Sequence, residues 1–189
     1  MHARILTLGL MVSAPLLAEH GTVTGVITAF PNKYAEGTVV YLKNAPPPKA
    51  PRRHRVLQKK MTFMPRVLAI AARDTVTFVN EDGVDHNVFS PDGETYNLGV
   101  FPKGASREHV FARTGVYMQQ CTMHPEMLAY IFVGANGYSA VVDRDGRFTI
   151  PEVPAGSWRI AVWNARLNAE EQTVAVAKGA TATVTFDLN

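Results

Sequence analysis

Residues 115–127 read GVYMQQCTMHPEM and combine a structural signal with a chemical one. The run Gly115–Gln120 has the length and composition of a short β-strand that begins at a glycine. It leads into a loop in which Cys121, His124 and Met127 have the spacing C-x2-H-x2-M. A single turn with this spacing can direct a thiolate, an imidazole and a thioether at one point. The stretch therefore predicts a metal site in the loop that follows a strand.

The rest of the chain predicts an all-β fold. Short alternating or β-branched runs recur between Gly, Pro, Asn and Asp residues, as is typical of a β-sandwich. A net charge of +3 on 189 residues is mild and argues against a nucleic-acid partner. The predicted strands are Thr22–Thr28, Thr38–Lys43, Met61–Phe63, Val67–Ala71, Thr75–Asn80, Asn87–Ser90, Ser106–Phe111, Gly115–Gln120, Ala129–Val133, Tyr138–Val142, Arg147–Ile150, Trp158–Trp163, Gln172–Ala177 and Thr181–Leu188.

The first eighteen residues predict a signal peptide, because Arg4 precedes an apolar run from Ile5 to Ala18. This run is shorter than the about 20 residues that span a bilayer, so we expect no transmembrane segment after signal removal. The expected location is periplasmic or secreted. Cys121 is the only cysteine of the chain. In an exported protein, a thiol without a disulfide partner is expected to be buried or bound to a metal.

A second imidazole for the site comes from His86, which follows the predicted strand Thr75–Asn80 after a turn. Two imidazoles, one thiolate and one weak thioether are the ligands of a blue-copper centre. We therefore expect one copper ion, cycling between Cu(I) and Cu(II). A full set of protein ligands leaves no position for a substrate, so no catalytic residue and no enzymatic activity are expected. Three plainer interpretations stay open: Cys121 as an inert buried thiol, Met127 as core packing, and His86 as a turn residue.

Several motifs in sequence order resemble the plastocyanin/amicyanin branch of the cupredoxins. They are Phe63-Met64-Pro65, Asp74–Asn80, His86–Ser90 and Gly115-Val116-Tyr117 ahead of Cys121, and the resemblance covers roughly residues 57–134. The short gap between the last two candidate ligands is the amicyanin-like form. The resemblance implies a Greek-key β-sandwich. It also implies that His86, Cys121 and His124 are in-plane copper ligands and that Met127 is a long axial one.

The same resemblance implies a set of supporting residues. Asn87 would tie the His86 loop to Thr122, although Asn87 as a simple turn residue is the alternative. His124 would lie at the solvent edge and serve as the exit for the electron. Met123, Pro125 and Phe101 would form an apolar patch around it, where a periplasmic or membrane-bound redox protein docks. We expect the protein to be a monomer.

The two flanks of the chain resemble a carboxypeptidase-regulatory-like (transthyretin-like) β-sandwich, in residues 21–28, 37–42 and 143–160. This resemblance implies that both chain ends form a second small sandwich into which the cupredoxin is inserted; two separate small pieces are the alternative. The resulting division is 1–18 signal peptide, 19–44 first accessory strands, 45–56 proline-rich basic linker, 57–134 cupredoxin and 135–189 remaining accessory strands.

The function expected from these patterns is that of an exported one-electron carrier. The alternative is a copper-binding or copper-delivery protein that does not cycle its ion. A structural module with a vestigial site is a third interpretation.

Overall fold

The computed structural model describes residues 19–48 and 50–189, so the predicted signal peptide lies outside the described residues. Within these two ranges, no helix is long and apolar enough to cross a membrane. A 3-10 turn spans Asn32–Tyr34. The strands are β1 (His20–Ala29), β2 (Val39–Leu42), β3 (Arg53–Gln58), β4 (Phe63–Met64), β5 (Val67–Ala71), β6 (Thr75–Asn80), β7 (His86–Ser90), β8 (Tyr96–Phe101), β9 (Ser106–Val110), β10 (Gly115–Gln120), β11 (Leu128–Gly134), β12 (Ser139–Val141), β13 (Arg147–Pro154), β14 (Gly156–Trp163), β15 (Gln172–Val176) and β16 (Thr181–Leu188).

The first and last parts of the chain share one sandwich, which we call the chain-end sandwich. One of its sheets has the order β13-β1-β16 and the other the order β12-β2-β14-β15. The long strand β1 lies between β13, which runs antiparallel to it, and β16, which runs parallel to it. Every second residue of β1 from Gly21 to Ile27 is buried, as the two-residue period of a strand with one covered face requires.

Gly25 in the middle of β1 shows how tightly this sandwich packs. A Cβ atom at this position would lie 1.9 Å from the carbonyl oxygen of Val184 and 2.6 Å from the ring of Phe148. Because Gly25 carries no side chain, the Phe148 ring can pack directly against the backbone of β1. The core around it contains Val23, Ile27, Val40, Leu42, Ile150, Ile160 and Phe186.

Residues 53–134 form the central sandwich. Its five-stranded sheet has the order β5-β11-β10-β7-β8, and its four-stranded sheet has the order β4-β3-β6-β9. The core between them contains Val56, Phe63, Phe78, Val88, Phe101, Phe111, Tyr117, Met127 and Ile131. Cys121 belongs to the same buried cluster. The neighbouring strands β7 and β10 bring the segments that begin at His86 and end at Cys121 to one end of this core.

Aromatic side chains join the two sandwiches. Tyr130 and Phe132 alternate along β11 with the buried residues Ala129 and Ile131, so their rings point away from the central core. The ring of Phe132 lies 4.6 Å from that of Tyr41, and the ring of Tyr130 lies 5.3 Å from that of Trp163. The two sandwiches are therefore in direct apolar contact.

The predicted fold class is confirmed: the described chain is all-β, and one of its two sandwiches is built from both chain ends. Two strands were not predicted. β3 includes residues that the sequence analysis assigned to a basic linker through residue 56, and the arginines hide its pattern because they point outward, while Val56 and Gln58 are buried. β8 was missed because the central part of Tyr96–Phe101 is exposed and contains an asparagine and a glycine.

Most other strand bounds differ from the prediction by one or two residues, and two of the differences have a clear physical reason. The strand expected at Met61–Phe63 instead covers Phe63–Met64, because Lys60 and Met61 have φ values of 54° and 57°, in the left-handed region that a strand cannot use. The loop expected at 151–156 is mostly strand, since β13 continues to Pro154 and pairs with the beginning of β1. This part of β13 was predicted as a loop because it contains Pro151 and ends at Pro154.

Candidate metal centre

Three candidate ligands converge at one end of the central sandwich. His86 is the first residue of β7, Cys121 directly follows β10, and His124 lies in the loop that connects β10 to β11. The strands β7 and β10 are adjacent, with Gln120 paired to Phe89, so His86 and Cys121 come from neighbouring strands. The loop brings His124 back toward both of them. A tight turn closes this loop, because the Met127 N–H donates a hydrogen bond of 2.9 Å to the His124 carbonyl.

The potential ligand atoms form a compact triangle. Nδ1 of His86 and Nδ1 of His124 are 3.0 Å apart, and Cys121 Sγ lies 3.9 Å from the first and 3.7 Å from the second. A point equidistant from three atoms with these separations lies about 2.1 Å from each, which fits metal–nitrogen and metal–sulfur bonds of roughly 2.0–2.3 Å. His86, Cys121 and His124 can therefore hold one metal ion without rearrangement.

Burial is unequal around this triangle. His86 and Met127 are fully buried, and Cys121 is almost so, whereas His124 is half-buried. The ring of His124 is therefore the part of the site nearest to solvent. Met127 lies in the same loop and belongs to the central core. Its role as an axial ligand remains a prediction.

Asn87 connects the two loops that carry the ligands. Its side-chain oxygen accepts a hydrogen bond of 2.8 Å from the Thr122 N–H and one of 3.0 Å from the Thr122 hydroxyl. The Asn87 carbonyl accepts a further bond from Nε2 of Gln58, which is buried in β3. Asn87 itself is only 2 % exposed, so these bonds are shielded from water. Such outer contacts fix the orientation of metal ligands.

Asp82, which no sequence pattern singled out, positions the ring of His86. Nε2 of His86 lies 2.9 Å from Asp82 Oδ2, and the same carboxylate accepts bonds from the backbone N–H groups of Met61 and Lys60. Burial opposes the charge of Asp82, but the bonds from Met61, His86 and Lys60 outweigh it and hold the pKa of this carboxyl below its ordinary value. An ionised Asp82 accepts a hydrogen bond from the Nε2–H of His86, which leaves Nδ1 of His86 free as the ligand atom.

The four-residue spacing from Asp82 to His86 was the only signal in the sequence for this contact. It is weak, because Asp85 stands next to His86 and is an equally plausible partner by spacing. The choice between the two carboxylates depends on the loop around Lys60 and Met61, which is distant in sequence.

The structure separates the three residues predicted to form a docking patch. Met123 is 41 % exposed and Pro125 is also exposed, on either side of His124 in the sequence. Phe101 is fully buried, so its assignment to a docking surface is wrong. It pairs with His86 in the ladder between β7 and β8, and its side chain points into the core. Its neighbour Val100 is 54 % exposed instead, because successive side chains alternate between the two faces of a strand.

The donor set defines the chemistry that this site can support. A thiolate favours soft metal ions, and imidazoles serve copper in both of its common oxidation states. The ligands lie at the end of a packed core, and Asp82 and Asn87 hold them in place. The arrangement fits copper better than a hard cation such as Mg²⁺ or Ca²⁺, which requires oxygen ligands.

Comparison with known proteins gives matches that each cover only part of the chain. A family model described as "Polysaccharide lyase family 4, domain II" matches residues 134–184. It concerns the chain-end sandwich and differs from the family that the flanks resemble, so that resemblance is not confirmed. A comparison with curated proteins finds no relative.

Solved structures similar to part of this chain include three that are described as follows. A purple cupredoxin from Nitrosopumilus maritimus is 28 % identical, over 43 % of this chain and 99 % of its own, with a TM-score of 0.40. A Cu-containing nitrite reductase from Thermus scotoductus SA-01 is 28 % identical, over 44 % of this chain and 22 % of its own, with a TM-score of 0.41. A Cu(I) amicyanin mutant is 26 % identical, over 43 % of this chain and 81 % of its own, with a TM-score of 0.41.

Proposed function

We propose that this protein is an exported carrier of single electrons that binds one copper ion in a type 1 site. The observation that supports the proposal is the preformed triangle of His86 Nδ1, Cys121 Sγ and His124 Nδ1, with sides of 3.0 to 3.9 Å. When bound, copper supplies a one-electron couple between Cu(II) and Cu(I). With Met127 as a fourth ligand, no position is left for a substrate, so the proposal includes no enzymatic reaction.

The surroundings of the triangle favour fast electron transfer. Asp82 holds the ring of His86, and Asn87 holds the backbone beside Cys121. Ligands held in this way keep the same positions in both oxidation states, which keeps the reorganisation of the site small. The buried side chains of His86 and Cys121 exclude water, and the half-buried His124 gives the electron its shortest route to the surface.

The partner that fits this surface is another redox protein of the periplasm or its membrane. Met123 and Pro125 present apolar atoms beside His124, and Val84, two residues before His86, is 47 % exposed. A small apolar patch at an electron exit suits a brief encounter, because weak redox complexes bury little surface. We propose that the protein acts as a monomer.

The experiment that tests the proposal is the visible absorption and EPR spectrum of the protein loaded with Cu(II). We expect an intense thiolate-to-copper band and a small parallel hyperfine splitting. Both are lost in Cys121→Ser and strongly altered in His124→Gln. The matched control is His20→Gln, an exposed histidine near the start of β1, which leaves the spectrum unchanged. A spectrum that is weak and indifferent to Cys121 would remove the electron carrier from consideration.

Copper delivery is the second candidate function, and the exposed thioether of Met123 next to His124 favours it. A thioether at the surface offers Cu(I) a soft ligand outside the buried triangle. Stoichiometric transfer of Cu(I) to an acceptor, slowed in Met123→Leu, would support this function. Reversible redox cycling with the ion retained supports the carrier.

A further inference from the structure

A groove with a volume of about 420 Å³ lies where the two sandwiches meet. The 3-10 turn and the residues after it form one wall, and the loop that follows β14 forms another. Arg66 and the beginning of β11 complete it. None of the four candidate copper ligands lines this groove. Its size is within the range of roughly 300–1,000 Å³ that is usual for small-molecule sites.

The charge of this groove is positive. Lys33, Arg66 and Arg166 line it, and Glu36 is the only carboxylate among the lining residues. Across residues 19–48 and 50–189, no ion pair involves any of these four side chains. Lys33, Arg66 and Arg166 are also exposed. With three cationic side chains and one carboxylate, the groove therefore has a net charge of +2.

Flat aromatic surfaces stand beside these charges. Tyr34, Tyr130 and Trp163 line the groove and are half-buried. The Lys33 ammonium and the Arg166 guanidinium each lie 5.4 Å from the centre of the Tyr34 ring. Tyr130 is in edge contact with Trp163. A ligand in the groove therefore meets the exposed parts of Tyr130 and Trp163 together with the cations that lie over Tyr34.

A single side chain fixes the two walls relative to one another. Nδ2 of Asn164 donates to the Tyr34 carbonyl at 2.9 Å and to the Thr38 hydroxyl at 2.7 Å. Its Oδ1 accepts a bond of 2.9 Å from the Arg166 N–H. These bonds connect the loop after β14 to the 3-10 turn. These two walls are thus held in place before a ligand arrives, which lowers the entropic cost of binding.

We propose that this groove binds a short oligosaccharide of sugar acids. Pyranose rings present apolar C–H faces to Tyr and Trp, and their carboxylates pair with guanidinium groups, for which Arg is well shaped. Several cations and several ring faces along one groove fit a ligand that repeats both features. A single small anion would use only one of each.

The test is a calorimetric titration of the full chain with tri-α-1,4-galacturonate. Arg66→Gln and Arg166→Gln each weaken binding at least tenfold, because each removes a charge-assisted contact. The matched control is Arg144→Gln, an exposed arginine of the turn between β12 and β13, which leaves the affinity unchanged. Equal losses in all three variants would show that only the net charge matters and would overturn the proposal.

Three further probes separate the features of the ligand. Maltotriose supplies rings without charge, citrate supplies charge without rings, and triglutamate supplies the charges on a peptide. Each is expected to bind at least tenfold more weakly than trigalacturonate, and equal binding by any of them overturns the proposal. Tryptophan fluorescence gives a second readout: the response to trigalacturonate is retained in Trp158→Phe and lost in Trp163→Phe.

Discussion

The central sandwich and the chain-end sandwich are similar in architecture and differ in what they bury. Among the residues that the structure describes, nine polar side chains are buried and seven of them lie in the central sandwich, namely Gln58, Asp74, Asn80, His86, Asn87, Ser90 and Gln119; Thr38 and Asn136 lie outside it. Burying a polar group costs free energy unless a partner satisfies it. Two of these groups, Asn87 and Gln58, lie beside the ligand triangle and bond to each other, so part of the polar interior of the central sandwich supports the site.

The partners of these buried groups show how the central sandwich supports its site. Gln119, two residues before Cys121, accepts a hydrogen bond from the Tyr96 hydroxyl and donates one of 3.0 Å to the Tyr117 carbonyl. Burial raises the pKa of Tyr96, so its hydroxyl stays protonated and remains a donor. Buried networks of this kind fix one arrangement of side chains only while every member is satisfied.

The largest expected effect comes from breaking the core of the chain-end sandwich. Phe186→Ala removes a fully buried ring and should lower the free energy of unfolding by about 3–5 kcal/mol. Urea unfolding measures this loss. The spectrum of bound copper should stay unchanged in the folded protein, because Phe186 packs in the other core. The matching change Phe63→Ala, in the core that contains Met127, should lower stability similarly and also perturb the spectrum.

Removal of the link between the ligand loops is expected to have the next largest effect. Asn87→Ala leaves the Thr122 N–H without its acceptor and should lower the affinity for copper by roughly 10–100-fold. Competition with a chelator of known affinity measures the change. Asn97→Ala is the control: it removes the long 3.4 Å contact with Asn87 and a 2.9 Å bond from the Gly99 N–H, leaves both Thr122 bonds in place, and should lower copper affinity much less. Equal losses in the two variants would contradict the importance of the bond to Thr122.

A change at Asp82 tests whether the contact that positions the His86 ring also contributes to copper affinity. Asp82→Asn removes the negative charge that holds the Nε2 proton and should lower copper affinity by on the order of 10-fold, at the lower end of such effects. The reduction potential should rise, because the carboxylate stabilises Cu(II) more than Cu(I). Cyclic voltammetry measures this shift. Asp85→Asn is the neighbouring control, and a larger shift there would show that the wrong carboxylate has been identified.

The smallest effects on stability are expected from removing exposed ion pairs. The central sandwich has one at Glu108, and the chain-end sandwich has one at Glu171. Hydrogen bonds from Arg53 and Thr77 lower the pKa of Glu108, and those from Lys43 and Arg159 lower the pKa of Glu171. Each carboxylate therefore stabilises the fold above its ordinary pKa, and this contribution is lost as the pH falls through the lowered value. Glu108→Gln and Glu171→Gln should lower the melting temperature slightly at pH 7 and not at pH 2. A loss that persists at pH 2 would indicate a packing defect instead.

The sequence was informative where short spacing and composition determine the outcome. The strand Gly115–Gln120 was predicted with the bounds that the structure gives, and the loop after it carries Cys121 and His124 a few residues apart. The single cysteine pointed to Cys121 as a buried or metal-bound thiol, and the alternating hydrophobic residues of the flanks predicted strands. Neither prediction required knowledge of contacts between distant residues. The pairing of both chain ends could be inferred because the two flanks resemble parts of one module.

Information carried by distant contacts could not be predicted from the sequence. The backbone N–H groups of Lys60 and Met61 fix the position of Asp82. The left-handed conformation of these two residues could not be predicted from the neighbouring sequence. Phe101 was assigned to the surface because the sequence does not give the phase of β8 relative to the core. In β3, outward arginines next to prolines concealed a strand that pairs with β6 over its whole length.

The closure of the chain-end sandwich has a consequence for biosynthesis. Thr28 near the end of β1 contacts Asp187, which is 159 residues later, and β1 pairs with β16 from Thr22 to Ala29. The ribosome therefore makes β1 long before its partner strand β16 exists, while all strands of the central sandwich are completed in between. A chain that stops before β16 carries all four candidate ligands but leaves one edge of β1 open, and exposed strand edges attract other chains. Pairing with β16 thus protects an edge of β1 that earlier stages of synthesis leave open.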